Sequence, residues 1–294
     1  LLMAFAMGAM AQSGALADTF SAAFTLSRWR VGLVTAALTL AILLGGIRRI
    51  AEISTVLVPV MALLYLGGGL AVILGNLRRL PEALILMLRC AVAPEAALGG
   101  ALGIVTRREA LRWGVARSVF SNEAGLGSAA ITAACADTED PVKQGLISMT
   151  GVFFDTMVIC TVTGLAICCS GTLGTADGAG RPLTGAALTL RAFETVLGPL
   201  APWLIGVALG LFAFTSVLGC AVQAETTASY LLGPEAVRPC RVLYGLAVFA
   251  GAVIPMATVL QLADLANALM AFPNLVCLLL LSGEIAGECG RKER

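Results

Sequence analysis

The sequence predicts an all-α integral membrane bundle, and three observations predict it. Of the 294 residues, 59% are hydrophobic and 13% charged, against about 45–50% apolar and about 25% charged in an average soluble domain. Too little polar surface remains to coat a globule in water, and the mean hydropathy of +0.93 agrees. The apolar residues gather into runs that approach or pass the roughly 20 residues a helix needs to cross hydrocarbon. These runs are far longer than barrel strands and show no alternation of apolar and polar positions, which excludes a β-barrel reading.

Eight segments qualify as spans, within one transmembrane domain over 1–294: 1–17, 31–46, 54–76, 97–119, 145–169, 202–230, 241–260 and 262–282. The first is apolar from Leu1, with no basic stretch before it, so it does not read as a signal peptide. A start inside a hydrophobic run points to sequence missing upstream. Arg48-Arg49, Arg78-Arg79, the polar run Asp137 to Lys143 and the tail Glu288 to Arg294 punctuate the runs. Residues 171–200 read as one long Gly/Thr-rich loop outside the membrane. Pro59, Pro255 and Pro273 fall within spans, where a lost backbone hydrogen bond must be met by neighbours. That favours a packed bundle over isolated anchors, with simple packing kinks the plainer reading of each.

Orientation follows the basic residues. With the C-terminus in the cytoplasm, twelve arginines and lysines fall inside and seven outside. The net charge of +1 gives no sign of nucleic-acid binding. The chain has no histidine, which removes Cys/His zinc sites, His-based triads and haem ligation by histidine. Its nine cysteines show no C-x-x-C spacing and read as small hydrophobes. No cofactor is implied, and no pattern of an enzyme is visible.

Four stretches could carry chemistry. Gly99, Gly100 and Gly103, with Ala101 among them, make a poor helix centre. The stretch reads either as an unwound break facing a substrate or ion, or as small residues allowing close packing. Phe212-Ala213-Phe214-Thr215-Ser216 sets two adjacent hydroxyls in an apolar helix. They are hard neutral ligands for a small alkali cation, or they bond their own i−4 carbonyls. Gln12 and Asp155 are polar groups at membrane depth, each a functional hypothesis or a structural partner. Phe120 to Ala129 (FSNEAGLGSA) alternates polar and small residues and reads as a capped, tightly packed loop, with a gate as the other reading.

The run Gly114 to Ile167 strongly resembles the signature region of the sodium:alanine (alanine/glycine:cation) symporter family, whose members are amino acid carriers. Ala263 to Leu275 (ADLANALMAFPNL) resembles its last spanning helix. The resemblance implies a leucine-transporter-type inverted-repeat bundle of the APC superfamily. It implies sodium as coupling ion, a small neutral amino acid as substrate, and a multi-pass location in the plasma membrane. On that pattern the first span is the third core helix, so the first core helices are missing and the chain looks N-terminally truncated. Gln12, Gly99, Gly100, Ala101, Gly103, Ser216, Cys220 and Ala268 then fall at the substrate, and Phe212 (by its carbonyl), Thr215 and Ser216 at a sodium ion. Cys220 stands for a tryptophan usual in the family, Ala101 for a phenylalanine, Ala268 for a glycine, and Val222-Gln223 where tyrosines are common. Two lost aromatic walls enlarge the pocket and put alanine and glycine in question as substrates. The competing expectation is a non-transporting fragment or accessory membrane protein.

Overall fold

The computed structural model describes residues 1–92, 107–123, 125–176, 178, 180 and 182–292. Among them the regular elements are all helical. A π-helical stretch, Ala4–Ala11, runs into α1 (Gln12–Phe24); α2 is Arg28–Leu43, α3 Gly46–Gly75 and α4 Leu80–Val92. After the undescribed segment come α5 (Arg107–Asn122) and the short α6 (Ser128–Ala133). Then α7 (Pro141–Val152), a π-helical turn (Phe153–Ile159) and α8 (Cys160–Ser170) form one continuous rod. The chain closes with α9 (Gly185–Leu197), α10 (Ala201–Leu232), α11 (Val237–Val253) and α12 (Met256–Lys292).

Among the described residues, five helical stretches are long and apolar enough to cross a membrane: Gly46–Gly75, Pro141–Ser170, Gly185–Leu232, Pro234–Val253 and Met256–Gly287. Together they fit a multi-pass integral membrane protein. Outward-facing side chains on them are large and apolar, including Leu63, Met149, Phe154, Phe272 and Leu280. A water-facing surface would not tolerate this, and a lipid-facing one requires it. All three tryptophans, Trp29, Trp113 and Trp203, are exposed, as suits residues with an apolar body and a polar tip at a membrane interface.

Local chemistry sets the boundaries. Asp140 caps α7, its carboxylate accepting from the Val142 and Lys143 amides at 3.0 and 3.1 Å, with Pro141 in the first turn. Pro255 does not kink a span but separates two helices. The residue before a proline is driven out of the α region, and Ile254 is extended at φ −67°, ψ 143°. The expected boundary between 260 and 262 therefore falls at 254–255 instead. Pro59 and Pro273 do lie inside helices. Residues 171–200 are not all loop: α9 occupies the second half, with Leu190, Ala192 and Phe193 buried. α4 was not foreseen either. Of the expected span 97–119, residues 97–106 lie outside the described residues, and the rest belongs to the basic helix α5.

α10 is the axis of the bundle. Its first half packs with α3, α8 and α9 around Tyr65, Val72, Ala166, Phe193 and Ile205. Its second half packs with α2, α11 and the Ala4–Ala11 stretch around Leu43, Val217, Leu218, Tyr244 and Val248. Residues 212–220 fall where the two cores meet. Arg28 ties α1, α2 and α11 at one end, pairing with Asp18 and donating to the Ala252 and Ile254 carbonyls at 2.9 and 3.2 Å.

Candidate functional site

Ser216 is the sixteenth of the 32 residues of α10. At about 1.5 Å of rise per residue this helix is about 48 Å long, so its midpoint is as far from water as the helix reaches. Here the Phe212 carbonyl accepts from both the Thr215 and the Ser216 hydroxyls, each at 3.0 Å. The Thr215 hydroxyl also lies 2.9 Å from the Leu211 carbonyl and 3.7 Å from the Met61 sulfur. One proton cannot serve all three, so these are alternative rotors of a single donor. The reading in which these hydroxyls bond carbonyls of their own helix is the one observed. In doing so they gather three neutral oxygens on one turn. Thr215 is buried and Ser216 half-buried. One turn on, Gly219 is exposed, with nothing within 4 Å of where a Cβ would stand. The turn that holds the oxygens is thus packed on one side and open on the other.

The helix running from Ala4 to Phe24 crosses α10 at this level. A Cβ on Gly8 would lie 2.1 Å from the Cys220 Cβ and 2.8 Å from its sulfur, so only glycine permits the approach. Tyr244 closes the contact from α11, donating to the Val217 carbonyl at 2.8 Å. Cys220 is buried here, one turn beyond Ser216. Gln12, one turn beyond Gly8, is half-buried and follows directly on the π-helical residues. π-helical turns are rare and recur at functional sites.

α12 brings Asn267, which is 5% exposed, its Oδ1 having no hydrogen-bond partner among the described residues. Ala268, the next residue, is exposed; the buried side chains of that turn are Ala266 and Asn267. The polar loop joins α12 to the rod of α7 and α8. Asn274 donates to the Gly125 carbonyl at 2.9 Å, Ser121 to Asp155 at 3.0 Å, and Asn122 to Thr156 at 3.2 Å. Gly127 has φ +89°, and a Cβ there would lie 2.7 Å from Asn274 Oδ1. Glu123 sits at φ +55° and accepts from Ser128 at 2.5 Å. Burial pushes its carboxyl pKa up; the Ser128 bond opposes this and the charge of Asp155 adds to it. Arg117 pairs with Asp264 of α12 and lies over the rings of Trp113 and Phe120. The loop is packed as expected, but the short helix it leads into starts after Gly127 without a side-chain cap; Asp155 has a structural partner in Ser121.

The model of the sodium:alanine symporter family matches residues 1–290. The chain belongs to this family. The match gives the expected absence of leading core helices no support. Similar relatives include an "Uncharacterized transporter" of Haemophilus influenzae, 41% identical over 276 residues, which are 94% of this chain and 59% of that protein. The "Sodium/alanine symporter AgcS" of Methanococcus maripaludis is 38% identical over 288 residues, covering 97% and 61%. The "Probable sodium/glutamine symporter GlnT" of Bacillus subtilis is 38% identical over 275 residues, covering 92% and 55%. The chain spans about three fifths of the length of these relatives. They are named as transporters, not enzymes.

Within the chain, Phe212, Thr215 and Ser216 come together, and Cys220 follows one turn away. Gly99, Gly100, Ala101 and Gly103 lie outside the described residues. Gly8, Asn267 and the Arg117–Asp264 pair were not anticipated. Asn267 did carry a signal: an amide in the middle of an apolar helix is expensive in lipid. Gly8 carried none, because its partner is more than 200 residues away in sequence.

Proposed function

We propose that the protein carries out sodium-coupled symport of a small neutral amino acid across the plasma membrane by alternating access. Family membership supports the reaction class. The observation that carries the ion assignment is the convergence of the Phe212 carbonyl with the Thr215 and Ser216 hydroxyls at the middle of α10, beside open space. Rotation of the two hydroxyl protons away from Phe212 would leave three hard oxygens for sodium. The ion would complete its shell from groups on another element, as at the half-helix sites of secondary transporters.

In this reading the bundle is of the leucine-transporter type, with about eight spans in this chain and a cytoplasmic C-terminus. The helix Ala4–Phe24 is the third core helix, α10 the eighth and α12 the tenth. Gln12, Cys220 and Ala268 stand at the substrate, joined by the undescribed glycines 99, 100 and 103. Relatives named for alanine and for glutamine frame the substrate range, and Cys220 in a tryptophan position favours the bulkier end. The membrane potential would supply about 2.3 kcal/mol per charge per 100 mV. Coupling follows if sodium and substrate favour the same conformation.

Sodium-dependent uptake of labelled alanine, glycine and glutamine by the full-length protein tests this. Thr215→Ala combined with Ser216→Ala should abolish the sodium dependence; unchanged uptake would remove the sodium assignment.

A further inference from the structure

On the face of α10 turned away from Ser216, an open groove of about 480 Å³ lies between α1, α2, α3 and α10. That volume is within the roughly 300–1,000 Å³ of small-molecule sites. At 100° per residue, Phe214 on its wall points about 200° from Ser216, so the groove is separate from the hydroxyl cluster. Its walls are apolar, with Phe20, Leu38, Leu57 and Phe214 contributed by four different helices. Two polar residues line it. The Thr35 hydroxyl is already spent on the Val31 carbonyl at 2.8 Å, which leaves Arg30.

Arg30 has no acidic partner among the described residues; its guanidinium rests over the Trp29 ring at 5.5 Å. Arg28, two residues earlier, is by contrast fully used by Asp18 and two carbonyls. The groove therefore has an unneutralised positive charge at one end and hydrocarbon along its length. Exposed Trp29 stands beside Arg30, and exposed Trp203 packs on Phe24 at 4.9 Å, near the start of α2. Tryptophans of this kind mark the headgroup level. From Arg30 to Leu38 the helix rises about 12 Å, which stays within a leaflet of about 15 Å, half the hydrocarbon thickness.

We propose that this groove holds one acyl chain of an anionic phospholipid, with the phosphate at Arg30. Hydrocarbon gains little by leaving the bilayer for an equally apolar groove. Selectivity must therefore come from the charge at the mouth, as in other basic pockets between membrane helices. The inference does not depend on transport.

The full-length protein, purified in mild detergent, would be incubated with phosphatidylglycerol or with phosphatidylcholine of the same acyl chains. Bound lipid is then counted by native mass spectrometry. One phosphatidylglycerol per protein is expected, held about fivefold more strongly than phosphatidylcholine, a single arginine's worth of attraction. Arg30→Gln should erase the preference and Arg30→Lys keep most of it. Val34→Trp, at an exposed position on the groove wall, should remove both lipids. Equal retention of the two lipids by the unaltered protein overturns the proposal. So does unchanged retention in Val34→Trp, or a groove so filled by protein that no lipid is held. If the Arg30 variants do not fold, the lipid comparison and Val34→Trp still decide.

Discussion

Gly8→Ala adds a single methyl at the crossing of two helices, and the structure sets its cost. The new Cβ would stand 2.1 Å from the Cys220 Cβ, where ordinary contact begins at 3.4 Å. The shortfall is about 1.3 Å. Neither atom can swing aside, since a Cβ is fixed to its backbone, so the helices themselves must part. Overpacking of this kind costs about 1–3 kcal/mol. At about 2 °C per kcal/mol, the low end for chains approaching this size, the melting temperature should fall by about 2–6 °C. The reciprocal variants make the reasoning specific. Cys220→Ala keeps the offending Cβ and should not rescue Gly8→Ala. Cys220→Gly removes it and should restore most of the loss, less about 1 kcal/mol for glycine in a helix. Two residues in contact should couple by about 1–2 kcal/mol. The assay is the fraction of purified protein that stays monodisperse in detergent after heating, read by size-exclusion chromatography on tryptophan fluorescence. Gly8→Ala melting within a degree of the parent, or equal rescue by Cys220→Ala and Cys220→Gly, would refute the packing argument.

Glu123→Gln should change how stability depends on pH. Burial raises the Glu123 pKa in the folded state. Its stabilising contribution is therefore complete at low pH and is lost as pH rises through the raised value. The Gln variant lacks that loss, so its melting advantage should grow as pH rises above the ordinary carboxylate range; a difference independent of pH would argue against a raised pKa. Arg241 and Glu225 form a two-point fork at 2.8 Å for each bond, with side-chain exposures of 23% and 17%. Arg241→Met should cost about 1.5–3 kcal/mol by leaving the carboxylate unpaired, and adding Glu225→Leu should recover most of it. Heating curves of the single and double variants decide between that outcome and simple additivity. Asn267→Leu removes a buried oxygen that has no partner among the described residues, so stability should hold within about 1 kcal/mol. Uptake should nonetheless fall, and normal uptake would make Asn267 a packing residue.

The class, an all-helical membrane protein, was legible because the bilayer writes it into composition. Lipid-facing helices must be apolar along their length, and no chemistry of the site is needed to see it. The same uniformity hid the finer structure. In a run such as Ala4–Ala11 nearly every residue is small or apolar, so no face distinguishes a π-helical from an α-helical repeat. α9 was hidden differently: the Gly/Thr-rich residues before it set the reading of the whole connection, although Leu190 and Phe193 already marked a buried face. Pro255 carried its signal in plain view: the residue before a proline leaves the helical region, so it ends one helix instead of kinking it. Thr215 and Ser216 stood out as adjacent hydroxyls within an apolar helix, and a local bonding pattern is what sequence reports well. The Gly8–Cys220 and Asn274–Gly125 contacts are long-range, and nothing local encodes them.

The geometry at Phe212, Thr215 and Ser216 has a consequence for how an ion could do work. Three oxygens on one helical turn can face a cation from one side only, because a turn cannot wrap around what it binds. If sodium binds there as proposed, it must strip much of its hydration, and the missing ligands would come from another element across the side where Ser216 and Gly219 lie. An ion held between two elements binds best in the conformation that brings them together. It therefore biases the equilibrium by its differential affinity for the two arrangements. A cation enclosed by one rigid helix pair would bind both conformations alike and drive nothing. In the proposed reading, a one-sided cluster on α10 is the arrangement that coupling would require. It also predicts that sodium will protect the open face: cysteine introduced at exposed Gly219 should react with a thiol reagent more slowly in sodium than in potassium. Equal rates in the two salts would leave α10 without its part in coupling.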